Sequence, residues 1–390
     1  MISFEEAYRI VSEVKVKQEV QRVPFTDALG FVLAEDIKSD IDMPPFDKSA
    51  MDGYACRKED LNSPMQEIEI IPAGKVPEKV ITEGKCSRIM TGAMIPDGAD
   101  TVIRVEDTSL LDGIVTFTGT RTPDNICRLG EDIRKGDRVL KKGTLLRPQQ
   151  IAVLASVGAI KPKVYSKPVV AVISTGDELV EPSHKPGKGQ IRNSNASQLI
   201  TQIKQAGAKA EYIGIALDTP EDTREKIHKA MKVAQVVILT GGVSMGDYDY
   251  VPQILKENDV TIGFKSIAVQ PGRPTVFAHN KRNFFFGLPG NPVSSFVQFE
   301  LLVKPLLARI AGHDYKPCVL SGTLTKDYSR RNTGRKAFVP VNIDNDMNVT
   351  PVEYHGSAHI HSYVEANAIM TVEIGTATMN KGEKVDVRQI

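Results

Sequence analysis

Residues 169–178 read VVAVISTGDE and residues 236–242 read VVILTGG. Each is an unbroken apolar run of strand length that stops on threonine and glycine, the signature of a strand buried on both faces. Between them AEYIGIAL (210–217) reads as a further strand. Two helical patterns fill the gaps. One starts near Ser194, carries Leu199, Ile200 and Ile203 on one side and ends at Gly207; the other is PEDTREKIHKAMKVA (220–234). FFFGLPGNPVSSFVQFELLVKPLLARIAG (284–312) adds a strand, a turn and a long apolar helix. Strand and helix alternating at this spacing predict right-handed βαβ units in a parallel, doubly wound sheet.

The flanks have a different texture. FEEAYRIVSEV near the amino end places Phe4, Ala7, Ile10 and Val11 at helical spacing. Short apolar pieces such as EIEIIPAGKV and VLKKGTLLRP then alternate with glycine and proline, which reads as strands and turns. PQQIAVLASVG, with Pro148 in its first turn and Gly158 at its end, reads as a second helix. Beyond about 317, KAFVPVNI, ANAIMTVEI and EKVDVRQI predict a small all-β domain.

The 390 residues exceed what one ordinary core organises, so several domains are expected. A formal net charge of +1 argues against a nucleic-acid binder that works by counterion release. Cys56, Cys86, Cys127 and Cys318 are dispersed without a C-x-x-C pair, so neither a disulfide framework nor a thiolate zinc site is expected, and a reducing cytoplasm is. The opening MISFEEAYRI has no apolar signal core, and no run approaches the length of a membrane span.

In a parallel α/β sheet, ligands bind at the carboxyl ends of the strands. That rule makes three loops candidates for one site: STGDELV (174–180), TGGVSMGDYDYV (240–251) and GLPGNPVSS (287–295). Each has glycines that let a ligand approach the backbone and precedes a possible helix N-terminus, which attracts anions. Asp177, Glu178, Asp247 and Asp249 add carboxylates, suited to a phosphate bridged by magnesium. Taken singly, Asp177 reads as a helix N-cap and Asp249 as a turn residue; three such loops at one sheet edge favour a ligand. The loops DMPPFDKSAMDGYACR (42–57), IMTGAMIPDGAD (89–100) and RLGEDIRKGD (128–137) mix turn residues with acids and hydroxyls, and spacing leaves them undecided. His355, His359 and His361 have an H-x3-H-x-H spacing, but no cysteine or acid completes a ligand set, and surface hydrogen bonding or anion contact ranks first.

Together PPFDKSAMDGYA, RIMTGAMIPDGADTVI, GEDIRKGD, STGDEL, GGVSMGDYDY, PGRPT and GLPGNPVSS stand in the order seen in the molybdopterin molybdenumtransferase family, that is MoeA and the E domain of gephyrin, which the chain resembles over its whole length. The resemblance implies a linker domain (1–40 and 142–166), an inserted β-rich lobe (41–141), an α/β molybdopterin-binding domain (167–314) and a C-terminal β-barrel-like domain (315–390). It implies a homodimer whose composite site lies between the α/β domain of one subunit and the lobe of the other. The implied reaction takes adenylylated molybdopterin and molybdate with Mg2+ and releases AMP and molybdenum cofactor, with a molybdopterin adenylyltransferase as a possible partner.

By the same resemblance Asp52, Thr91, Asp132, Glu178, Asp218 and Asp249 are catalytic, with Glu178 and Asp249 on the metal. Thr175, Gly176, Asp177, Gly241, Gly242, Ser244, Pro271, Gly272, Arg273, Gly290, Asn291 and Pro292 would bind the pterin nucleotide. Three departures stand out. Gln270 replaces a lysine that some members carry, while Lys265 lies one residue out of register with another and Arg273 is a candidate replacement cation. Cys127 replaces an arginine beside Arg128, and Asn193 stands where an aspartate is frequent. A tungstate-specific insertase, a weak paralogue and a scaffold of the same fold are the alternatives.

Overall fold

The computed structural model describes residues 1–242, 253–254 and 257–390. The chain divides into two compact units. One comprises Met1–Arg22, Gly30–Ala34 and Lys163–Ile390; the other comprises Val23–Leu29 and Glu35–Pro162.

In the first unit a six-stranded sheet runs, edge to edge, Lys209–Ala216, Val169–Thr175, Val236–Thr240, Phe284–Leu288, Val276–His279 and Thr261–Phe264. The first four are parallel, as their apolar runs predict. The last two join antiparallel and were not read from the sequence. The alternation within Val169–Thr175 explains its unbroken apolarity. Val170 and Val172 pack on one face with Leu199, Ile203, Val293 and Val297. Ala171 and Ile173 pack on the other with Ile227 and Ala230. Helix Ser194–Gln205 therefore covers one face and helix Pro220–Val233 the other.

The long apolar segment after Phe284–Leu288 is helical from Pro292, but widens to a π turn at Phe299–Val303 before continuing as Lys304–Ile310. The widening sits directly before Pro305, whose ring nitrogen has no hydrogen to donate to the preceding turn. Helix Phe4–Glu13, capped by the Ser3 hydroxyl accepting from the Glu6 amide, packs Ala7 and Val11 into the same core.

The C-terminal strands close on themselves. Val319–Leu324, Lys384–Gln389, Ala368–Val372, Lys336–Ile343 and Asn348–Pro351 form a ring, completed by a short parallel pairing of Asn348–Pro351 with Val319–Leu324. Ala337, Val339, Val341 and Ile343 point inward at period two and meet Val349, Met370 and Val387. This is the β-barrel-like domain expected from KAFVPVNI, ANAIMTVEI and EKVDVRQI.

The second unit is built on a sheet ordered Thr101–Arg104, Gly53–Cys56, Lys85–Ile89, Met65–Ile71, Ile114–Phe117 and Thr108–Leu111. Tyr54, Met65 and Ile103 fill one face and Ala55, Ile71 and Val102 the other. Gly53 is required by packing, because a Cβ there would overlap the carbonyl oxygen of Ile103 on the neighbouring strand. Helix Pro148–Ser156 closes the unit. Among the described residues, no helix is long and apolar enough to cross a membrane.

Candidate functional site

Strand order in the α/β sheet reverses at Val169–Thr175, which is followed on one side by Lys209–Ala216 and on the other by Val236–Thr240. A crevice is expected outside the carboxyl ends of the strands at such a switch point. A cavity of about 610 Å³ lies there, and Thr175, Thr240 and Pro289, at or just past the ends of three parallel strands, line it. Of the residues expected from the sequence, Thr175, Glu178, Gly241, Gly242, Gly290, Asn291 and Pro292 line this cavity together.

The glycines do different things. Gly241 and Gly242 have φ of +83° and +56°, and a Cβ on either would come within 2.6 Å of Thr175, on its carbonyl oxygen and its hydroxyl respectively. Both are needed to fold the strand exit back over Thr175. At Gly290 a Cβ would meet nothing closer than 3.7 Å, the Cα of Gly241. Packing therefore does not require a glycine at 290.

Other expected residues lie beside the cavity without lining it. Gly176 (φ +139°) leaves room for the carboxylate of Glu178, which a Cβ would overlap. Asp177 accepts from the Asp218 amide at 3.1 Å, so these two acids meet at the ends of neighbouring strands. The expectation that STGDELV leads into a helix N-terminus is corrected. Leu179–Val180 pairs instead with Ile191–Arg192, and the helix starts only at Ser194. Asn193, not Asp177, is its N-cap, accepting from the Ala196 amide at 3.2 Å.

Pro271, Gly272 and Arg273 form a turn in which Gly272 (φ +103°) faces Gln298, whose amide donates to the Pro271 carbonyl at 3.0 Å. Only the next residue, Pro274, reaches the cavity. Arg273 is exposed, with no ion pair among the described residues. Gln270 keeps a buried side-chain oxygen without a hydrogen-bond partner. Ser244 and Asp249 lie outside the described residues.

Sequence reasoning missed three contributors to the cavity. Asn195 lines it and donates to the Gly290 carbonyl at 2.7 Å, tying the helix start to the last loop. His361 reaches it from the barrel's histidine loop, which Asn291 holds by donating to the Ser357 hydroxyl at 2.7 Å. Asn193, noted only as a departure, is 2% exposed and accepts from Ser174 at 3.0 Å while donating to the Tyr212 hydroxyl at 3.0 Å. Tyr212 in turn donates to Glu181 at 2.7 Å, and burial pushes its phenol well above the usual range. An aspartate at 193 could keep the cap but could not donate to Tyr212. The RNSN run carried a visible cap signal; the long-range partners had none.

The three histidines do not converge. His355 and His359 rings stack at 5.0 Å and His359 and His361 at 6.4 Å. The acid thought missing is present as Glu353, 3.2 Å from His355, yet no cluster of three metal-ligating side chains occurs among the described residues.

In the second unit the three undecided loops knit together. Asp47 accepts from the Leu129 amide at 2.7 Å and from Arg128 at 3.0 Å, which hold its carboxyl below the usual range. The Asp132 amide donates to the Met43 carbonyl at 3.0 Å, and the Gly92 amide to Ser49 at 2.8 Å. Cys127 sits in a two-residue strand opposite Lys48. Asp52 accepts from the Thr91 amide at 2.6 Å and the Thr91 hydroxyl at 2.7 Å. These donors favour the carboxylate, the backbone one most, and lower its pKa. Thr91→Val removes the hydroxyl donor alone, so Asp52 should titrate at higher pH than in the wild type yet still below an ordinary aspartate. Carboxyl NMR titration measures this, and an unmoved pKa would sink the assignment.

Three family models match the chain: MoeA N-terminal region (domain I and II) over residues 2–158, probable molybdopterin binding domain over 171–309, and MoeA C-terminal region (domain IV) over 323–390. A molybdopterin molybdenumtransferase of Staphylococcus epidermidis is 36% identical over 99% of this chain and 95% of its own. One from Bacillus subtilis is 36% identical over 99% and 93%. A crystal structure of a molybdopterin biosynthesis MoeA protein from Pyrococcus horikoshii aligns over 100% of both chains with a TM-score of 0.87 and 31% identity.

Proposed function

The chain belongs to the molybdopterin molybdenumtransferase family, enzymes of molybdenum cofactor biosynthesis, and on that premise we propose that its carboxyl-end cavity holds adenylylated molybdopterin while molybdate is inserted. The observation that carries this reading is the cavity itself: glycine backbones from two strand exits and a carboxylate, Glu178, around one concavity at the sheet's switch point. Backbone next to bare glycine suits a phosphate or adenylate, and the Asn193-capped helix start supplies further amides nearby.

The chemistry is cleavage of the phosphoanhydride by water, which leaves AMP and the terminal phosphate of the pterin, while the two dithiolene sulfurs bond to molybdate and one of its oxides leaves as water with the two thiol protons. Mg2+ is bound in proteins through one or two carboxylates plus substrate phosphates. Glu178 fits that donor set, with Asp249 as the second carboxylate; the ion, when bound, would neutralise phosphate charge. Asp177 and Asp218 lie one loop further along the same sheet edge and orient the first strand exit. Arg192 lines the cavity and Arg273 is exposed beside the lining residue Pro274, so these two are the candidate cations for the oxyanion where Gln270 offers none.

Asp52, Thr91 and Asp132 complete the site from the lobe of a second subunit, within the domain division 1–40 with 142–166, 41–141, 167–314 and 315–390. Hydrogen bonding of Asp52 to Thr91 supports a fixed, ionised carboxylate there.

The composite arrangement is tested by mixing. Glu178→Gln and Asp52→Asn proteins are each expected to be inactive. After subunit exchange, random dimers should regain roughly a quarter of wild-type AMP release, because half are mixed and each mixed dimer has one intact site. No regain despite demonstrated exchange, or a monomer in solution, refutes the shared site.

A further inference from the structure

The same three parallel strands have a second concavity at their amino ends. A cavity of about 900 Å³ is lined by Val169, Gln235 and Phe284, at or just before the start of those strands, opposite the ends that line the first cavity. Lys15, Lys17, Lys232, Lys281 and Arg282 surround it, and Glu19 is the one carboxylate among the described residues of the lining. Five cations less one carboxylate leave +4 around one concavity, in a chain whose whole formal charge is +1. None of the five has an ion-pair partner among the described residues.

The segments carrying these charges are each anchored. Arg309 donates to the carbonyls of Val11 and Val14 at 3.0 and 2.9 Å, and Gln18 donates to the Arg309 carbonyl at 2.9 Å, holding the arm with Lys15 and Lys17. The Asn280 side chain accepts from the amides of Arg282 and Asn283 at 2.8 and 2.7 Å, fixing the turn with Lys281. Asn283 donates to the carbonyls of Met231 and Ala234 at 3.1 and 2.8 Å, satisfying the end of the helix that carries Lys232. Met231, Phe284 and Ile310 line the same cavity, and the Gln235 side-chain oxygen is buried with no partner among the described residues.

We propose that this amino-end cavity binds a multiply phosphorylated small molecule, distinct from the pterin nucleotide at the opposite end of the sheet. Like charges gathered without counter-charges raise the local potential and draw in a polyanion. A concavity of this size suits a compact ligand rather than a polypeptide. The apolar floor would contact an organic portion of the ligand.

Calorimetric titration with inorganic tripolyphosphate, and separately with ATP, tests this. Tripolyphosphate should bind, more weakly as salt rises, and Lys281→Glu/Arg282→Glu should weaken it by roughly tenfold or more. ATP binding more tightly than tripolyphosphate at the reversal-sensitive site identifies an organic polyphosphate, and equal binding an inorganic one; both support the site. The variant should melt as the wild type and keep its molybdate-dependent AMP release. Unchanged affinity in the variant, or no binding of either probe at millimolar concentration, overturns the proposal. So does a poly-glutamate peptide that binds here where tripolyphosphate does not.

Discussion

Glu178→Gln is expected to fold and melt as the wild type and to lose roughly a hundredfold or more of its molybdate-dependent AMP release. The side chain is exposed and makes no hydrogen bond that supports the core, so removing its charge should cost the fold little. It stands over Gly176, whose φ of +139° a residue with a Cβ would adopt only with strain. It is also the one carboxylate among the described residues lining the cavity. The amide keeps the shape and removes the anion, which isolates the electrostatic contribution. Turnover of adenylylated molybdopterin at the wild-type rate by this variant would remove Glu178 from the mechanism.

Phe286→Ala should be the most destabilising single change, about 3–5 kcal/mol, through the lost apolar surface and the void left behind. Phe286 is fully buried in the strand Phe284–Leu288, opposite Ile238, and its ring centroid lies 5.0 Å from that of Phe277. It belongs to the larger core, together with the helix residues Leu199, Val293 and Val297. The same strand delivers Pro289 and Gly290 to the cavity, so ligand affinity should fall with stability. Denaturant unfolding followed by a probe in the α/β unit measures the first effect. A loss under about 1 kcal/mol would mean the site collapses to fill the void.

Oligomeric behaviour and pH response bear on the same picture from the lobe. The two donors from Thr91 keep Asp52 charged at pH values where an ordinary aspartate begins to take up protons.

What was legible in the sequence follows from short-range rules. VVAVIST and VVILT announced burial on both faces because their apolar runs do not alternate, and a strand covered by helices on both sides needs none of the polar half of the pleat. The threonine–glycine stops announced strand exits, and the switch-point rule gathered three of them at one edge. KAFVPVNI betrayed the barrel by period two. Even the order of the polar loops in the second unit was informative, since it carried the family resemblance when spacing alone did not decide.

The tertiary structure decided everything that depends on residues far apart in the chain. Thr261–Phe264 extends the sheet antiparallel on Val276–His279, which itself joins the following strand Phe284–Leu288 through the short turn at 280–283. Asn193 became a buried hub because Ser174 and Tyr212 arrive from two other strands, and hydrogen-bond partners across such distances leave no periodic trace. His361 enters the cavity only because the barrel's loop docks on Asn291. Lys15, Lys281 and Arg282 lie far apart in the sequence, and converge because an arm, a turn and a helix end meet at the strands' amino ends. Periodicity reports which face a residue turns to the core; which distant residues share a cavity depends on strand order and chain closure, and those are properties of the folded whole.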